Sequence, residues 1–65
     1  MEDPLQILID ALEMRGLNLD EMAHVMAGVS NPEAVLDLTD WVVEHPEATV
    51  QGMIEEGSRL IELYQ

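Results

Sequence analysis

Ser30-Asn31-Pro32-Glu33-Ala34-Val35-Leu36-Asp37-Leu38-Thr39-Asp40-Trp41-Val42-Val43-Glu44-His45-Pro46 is the stretch that decides the fold. It opens on two residues able to cap a helix and a proline suited to the first turn. It closes on a proline that cannot continue one. Between them a helix of about residues 32–45 is expected. Glu33, Asp37, Asp40 and Glu44 recur at i, i+4, i+7 and i+11, which stacks four carboxylates on one helical face. Ala34, Val35, Leu36, Leu38, Trp41, Val42 and Val43 cover nearly all of the remaining circumference. A surface helix needs an apolar stripe of only about 100°. This helix is therefore expected either to be the central one of the fold or to be covered partly by another molecule.

The flanking segments carry equally plain punctuation. Asp3-Pro4 starts a helix, with Leu5, Leu8, Ile9 and Leu12 at helical spacing. Gly16 ends it, with Leu17 placed to fold back on its last turn. Asn18 with Glu21 at the third helical position is a capping-box pattern. It precedes an apolar stripe of Leu19, Met22, Ala23 and Met26, and Gly28 stops that helix. After Pro46, either Pro46-Glu47 or Thr49 can open a last helix. Its seam is Val50, Met53, Ile54, Gly57, Leu60, Ile61 and Tyr64. Gly52 and Gly57 each cost about 1 kcal/mol against alanine inside a helix, and Gly57 lies in the seam, so close approach of another helix is expected there. On the outer face Glu55, Arg59 and Glu62 are spaced for a weak charge ladder, and Leu63 falls on that polar side. The expected architecture is all-α: one domain, a compact bundle of four short helices at about 4–14, 19–27, 32–45 and 49–64.

Composition narrows the function. Sixty-five residues sit near the lower limit for a self-standing core, and there is no cysteine to staple it or to bind zinc. The chain has no lysine and only two arginines, Arg15 and Arg59, against fourteen acids, for a net charge of −12. So acidic a chain is not suited to non-specific binding of nucleic acid or of anionic membrane. With 48% apolar residues in periodic order, disorder is not expected either. No apolar run reaches the roughly 18 residues of a membrane span. Met1-Glu2-Asp3-Pro4 has no basic region ahead of an apolar stretch, so no secretory signal is expected and the location read from sequence is cytoplasmic.

Catalytic and metal patterns are weak. Glu21-Met22-Ala23-His24 has the Glu-x-x-His spacing of di-iron bundles, which need two copies and two more inward glutamates. One copy is present, so an exposed histidine beside helix-start acids is expected instead. His45 is placed to help finish the third helix. There is no calcium-loop pattern, no glycine-rich phosphate loop and no Ser/His/Asp or Cys/His set. No enzyme activity, metal or cofactor is expected. Met14, Met22, Met26 and Met53 are candidates for an adaptable surface, with core filling expected for the last three.

Arg15-Gly16-Leu17-Asn18-Leu19-Asp20-Glu21-Met22-Ala23 resembles the phage-repressor type of helix-turn-helix domain. That family often reads Arg-Gly-Leu, a polar cap, then Glu, an aliphatic residue and Ala on its second helix. Val29-Ser30 is similar to its turn into the third. The resemblance covers about residues 5–33. It implies a helix-turn-helix arrangement of the first three helices and a DNA-reading third helix. The turn here is one residue longer, with Ala27 before Gly28. Where the family carries Arg, Gln, Asn, Ser or Lys, this chain has Glu33, Asp37 and Asp40, which a duplex would repel.

The residues therefore favour a protein-binding module. Its candidate site is Glu33, Asp37, Asp40, Trp41, Glu44 and Glu47, with Leu36 and Val43 as apolar anchors and a basic protein surface as partner. One version is an inhibitor that mimics nucleic acid. A helical homo-oligomer or assembly subunit is the alternative, and a DNA-binding regulator the third. Carboxylates crowded on one face also predict that added salt raises the melting temperature.

Overall fold

The structure is a computed structural model that describes residues 3–65. It is all-helical, with α1 at Pro4–Met14, α2 at Leu19–Met26, α3 at Pro32–Glu44 and α4 at Val50–Leu63, and no strand among the described residues. The Cα radius of gyration is 10.5 Å. A folded chain of this length is expected near 11 Å, so the four helices are packed about as tightly as a self-contained globule allows.

The helix ends follow the local signals. Asp3 caps α1 by accepting from Leu5 N–H at 3.0 Å. At the far end Gly16 takes φ +85°, which an L side chain would resist. Gly16 N–H then donates to Glu13 O at 2.9 Å and Leu17 N–H to Leu12 O at 3.3 Å. That pair of bonds is the Schellman closure. In α2 the capping box is complete: Glu21 N–H donates to Asn18 Oδ1 at 2.8 Å, and Asn18 N–H to Glu21 Oε1 at 2.9 Å. Of the two candidate caps of α3, Asn31 is the one used, at 2.8 Å from Glu33 N. Thr49, not Pro46-Glu47, opens α4, its Oγ1 accepting from Gly52 N–H at 3.0 Å. The expected spans run one residue long at the C-terminus of α2, where Ala27 is the cap, and of α3, where His45 is. In α4 both Thr49 and Tyr64 are caps rather than helical residues.

α3 is the central helix, packed against α1 on one side and α4 on the other, while α2 packs on α4. Leu8, Leu12, Val25, Val35, Leu38, Val42 and Met53 are fully buried, with Met22, Val29, Ala34 and Leu60 around them. Thr39 is the one buried polar residue among those described, and its hydroxyl donates to Val35 O at 2.9 Å. The bond one turn back removes the cost of burying a hydroxyl.

Gly57 sits where three helices converge. A Cβ there would lie 3.0 Å from Val25 O of α2, 3.6 Å from Val29 Cγ2 and 3.7 Å from Leu38 Cδ2. The helix-propensity penalty of this glycine is thus offset by the approach of the α2 backbone.

Two expectations are corrected. The inward face of α2 is Met22, Val25 and Met26, continued by Val29, while Leu19 is 80% exposed and Ala23 also faces outward. The apolar spacing fitted two faces of so short a helix, and packing on α4 selected the one that continues through Val29 into the core. On α4, Arg59 pairs with Glu56 at 2.5 Å rather than with Glu55 or Glu62. Both oxygens of Glu56 accept from one edge of the guanidinium, from Nε at 3.0 Å and from Nη2. A bidentate fork is favoured over two single contacts.

Candidate protein-binding surface

Glu33, Asp37, Asp40 and Glu44 all face solvent along α3, and Glu47 is exposed in the turn beyond it. The stripe is continuous, and the structure shows why so little neutralises it. Arg15 points away from it, into the C-terminal end of α3. Its Nη1 donates to Val42 O at 3.3 Å and His45 O at 3.0 Å, and its Nη2 to Ala48 O at 2.9 Å. One of the two cations is thereby spent on helix-end carbonyls, where a positive charge meets the negative end of the helix dipole. The other, Arg59, is forked on Glu56, with Asp37 near enough to reinforce its charged form.

The two flanks of the stripe differ. On the α4 side, Trp41 is half-buried against the core and its ring stacks on His45 at 4.4 Å. His45 Nδ1 lies 2.8 Å from Trp41 O. A carbonyl can only accept, so Nδ1 is the donor in this bond. Tyr64 of the α4 C-cap donates its hydroxyl to Asp37 Oδ2. Asp37, Asp40, Trp41, Glu44, Glu56 and Arg59 line a shallow cleft on this flank, so part of the acidity here is already met from within.

On the α1 side the one basic residue is Arg15, whose guanidinium is bound to backbone carbonyls rather than to a carboxylate. Val43 is 67% exposed and Leu36 41%, seven residues apart on one face of α3. Val43 borders a groove of about 400 Å³ between α1 and α3, lined from α1 by Ile7, Asp10, Ala11 and Met14. Met14 is 89% exposed. Of the six candidate residues, the structure places four carboxylates, Glu33, Asp37, Asp40 and Glu44, along one face of α3, with Glu47 exposed in the turn beyond it. It sets Trp41 on the opposite flank from Leu36 and Val43, so the three apolar anchors expected from sequence form two patches, not one. Of the α1 groove residues, Met14 is one of the methionines that the sequence offers for an adaptable surface, while Ile7 and Ala11 are hidden beside the Leu5–Leu8–Ile9–Leu12 seam. Their signal was an apolar arc on α1 wider than its core face required.

The Glu21–His24 pair is accounted for locally. Glu21 closes the capping box, and His24 Nδ1 lies 2.7 Å from Asp20 O on the surface. Among the described residues no group of three or more His, Asp or Glu is arranged to hold a metal ion, and no helix is long and apolar enough to cross a membrane.

The Tyr64–Asp37 bond predicts a titration. The carboxylate accepting the hydroxyl proton holds the phenol above its ordinary value near 10, with burial and the charges of Asp37 and Glu33 adding to it. A phenol whose folded value is raised contributes stability below the unfolded value, and that contribution is lost as pH rises through the folded one. Tyr64 is the only tyrosine, so phenolate absorbance reports it directly. The midpoint is expected above about 10 in the wild type and closer to 10 in Asp37→Asn. Equal midpoints in the two proteins exclude the coupling.

Comparison with protein-family models, with curated proteins and with solved structures finds no match for this chain.

Proposed function

We propose that this chain is a non-catalytic protein-interaction module whose acidic α3 ridge docks on a basic protein surface. The supporting observation is the ridge itself: Glu33, Asp37, Asp40 and Glu44 exposed in line, while Arg15 is bound to backbone carbonyls and Arg59 to Glu56. Such a line of charge steers and registers a cationic partner. With carboxylates standing where phosphates would, it suits a protein that occupies a nucleic-acid-binding site on another.

The test is binding of a basic probe, such as an oligo-lysine peptide, across a salt series. Affinity is expected to fall about tenfold as salt rises from about 50 to 200 mM, because the charges are exposed and readily screened. Asp40→Asn with Glu44→Gln should weaken it further at low salt. Duplex DNA in the same assay is expected to show no binding. Affinity indifferent to salt removes the mimic. Self-repulsion along the ridge also predicts a rise of a few degrees in melting temperature between about 20 mM and 0.5 M salt, and a flat response means the acids are already balanced.

Self-association is the second reading, favoured by the exposed Met14, Val43 and Leu63. Sedimentation or light scattering decides it, and a strict monomer removes it.

A further inference from the structure

We infer that the groove between α1 and α3 seats a cationic amphipathic helix of the partner, so that the acidic ridge and the apolar groove act as one surface. This rests on the docking proposed above and specifies what docks. Isolated exposed apolar residues are ordinary. Here Met14 and Val43, two of the most exposed large apolar side chains, converge on the same groove with Ile7, Ala11 and Pro46. Its lining runs from Ile7 to Met14 on α1 and from Thr39 to Pro46 along α3 and the turn beyond it, or roughly 11 Å at 1.5 Å per residue, which accommodates about two turns of a partner helix. An amphipathic helix laid in such a groove anchors through residues at i, i+3, i+4 and i+7.

Charge selects the kind of helix. Asp10 stands on the α1 wall. Asp40 neighbours both Leu36 and Val43 on α3, at four and three residues along the helix surface. The groove's own carboxylate is therefore Asp10, and Asp40, which also lines the cleft on the other flank, stands on the ridge next to Val43. Arg15 also lines the groove near the C-terminal end of α3 and keeps its positive charge there, its guanidinium fixed on three backbone carbonyls, so a cation of the partner is placed towards Asp10 and the ridge rather than towards that end. Lysine or arginine stems flanking an aliphatic face would lie along the strip and bring their charges to Asp10 and Asp40. The other flank of the ridge has its own partners in Tyr64 and Arg59 and offers less to a cation. A second copy of this chain is the wrong occupant electrostatically, since each carries a net charge of −12.

The experiment uses two labelled peptides of about 18 residues, both of leucine and lysine in one composition. In one, the leucines recur at i, i+3, i+4 and i+7; the other is scrambled to have no apolar face. Fluorescence anisotropy is expected to show the amphipathic peptide binding at least about tenfold more tightly than the scrambled one. Met14→Gln with Val43→Gln, at two exposed positions, should abolish that preference while leaving the scrambled peptide's affinity and the helical melting curve unchanged. Asp10→Asn and Asp40→Asn should each weaken the amphipathic peptide about threefold. If the double glutamine variant keeps the full preference, or the two peptides bind equally, the groove assignment is overturned while docking on the ridge stands. If neither peptide binds at low salt, both fall. A wild-type dimer that the glutamine variant dissolves would show a second copy in the groove and overturn the assignment in favour of self-association.

Discussion

Replacing Arg15 with alanine is expected to destabilise the fold by about 3 kcal/mol, more than any exposed charge elsewhere on the chain. The guanidinium reaches 27 to 33 residues along the sequence to the carbonyls of Val42, His45 and Ala48. It ties the end of α1 to the end of α3 and to the turn that leads into α4. Each bond to a charged donor contributes roughly 1.5–3 kcal/mol when well shielded. The site is half-buried, so water recovers part of that when the side chain is removed. A chain of this length has a total stability of only roughly 3–10 kcal/mol. The loss should appear as a fall of roughly 15–25 °C in melting temperature by circular dichroism. Arg15→Lys should recover less than half, because a single ammonium cannot reproduce the fork. Arg15→Met keeps the stem, so its shortfall isolates the hydrogen bonds from the packing. A melting temperature within about 3 °C of wild type for the alanine variant would mean that water satisfies these carbonyls equally well.

Gly57→Val should cost a similar amount, about 3 kcal/mol, by a different mechanism. A Cβ would lie only 3.0 Å from the Val25 carbonyl oxygen, and that neighbour is backbone, which cannot swing aside. Two further methyls must then enter space held by Val29 and Leu38. Either α4 moves away from α2, opening the core at Met53 and Leu60, or the strain is held in place. Gly57→Ala is the informative intermediate: the helix gains about 1 kcal/mol of propensity and loses a comparable amount to the close approach. Gly52→Ala is the control. Its Cβ would meet only Thr49 Oγ1 at 3.4 Å and Trp41 Cη2 at 3.8 Å, so it should be stabilising by about 0.5 kcal/mol. Denaturant unfolding of the three variants checks the order. If the valine variant is as stable as the alanine one, the contact of α2 with α4 is looser than the geometry requires.

Helix boundaries were legible because capping chemistry is local. Asp3, Asn18, Asn31 and Thr49 each accept from a backbone N–H two or three residues ahead, and glycines at 16 and 28 take the positive φ that ends a helix. The acidic ridge was legible for the same reason, since a helix of known span fixes which residues share a face. The partners of the cations were not. Arg15 reads as part of a turn motif, and nothing near it in sequence announces three carbonyls some thirty residues away. Arg59 had Glu55, Glu56 and Glu62 within reach on its own helix, and side-chain geometry chose Glu56.

By itself the sequence determined an all-α chain of four helices, their caps, and a line of carboxylates on the third with almost no cation to oppose it. All of that follows from interactions within about four residues, where helical periodicity and hydrogen-bond reach leave few alternatives. The tertiary structure alone decided which flank of the ridge stays open. Packing α4 beside Trp41 brought Tyr64 and Arg59 to one side, and packing α1 on α3 left Met14 and Val43 around a groove on the other. Those juxtapositions depend on how helices far apart in sequence bury their shared core, and no local spacing encodes that choice.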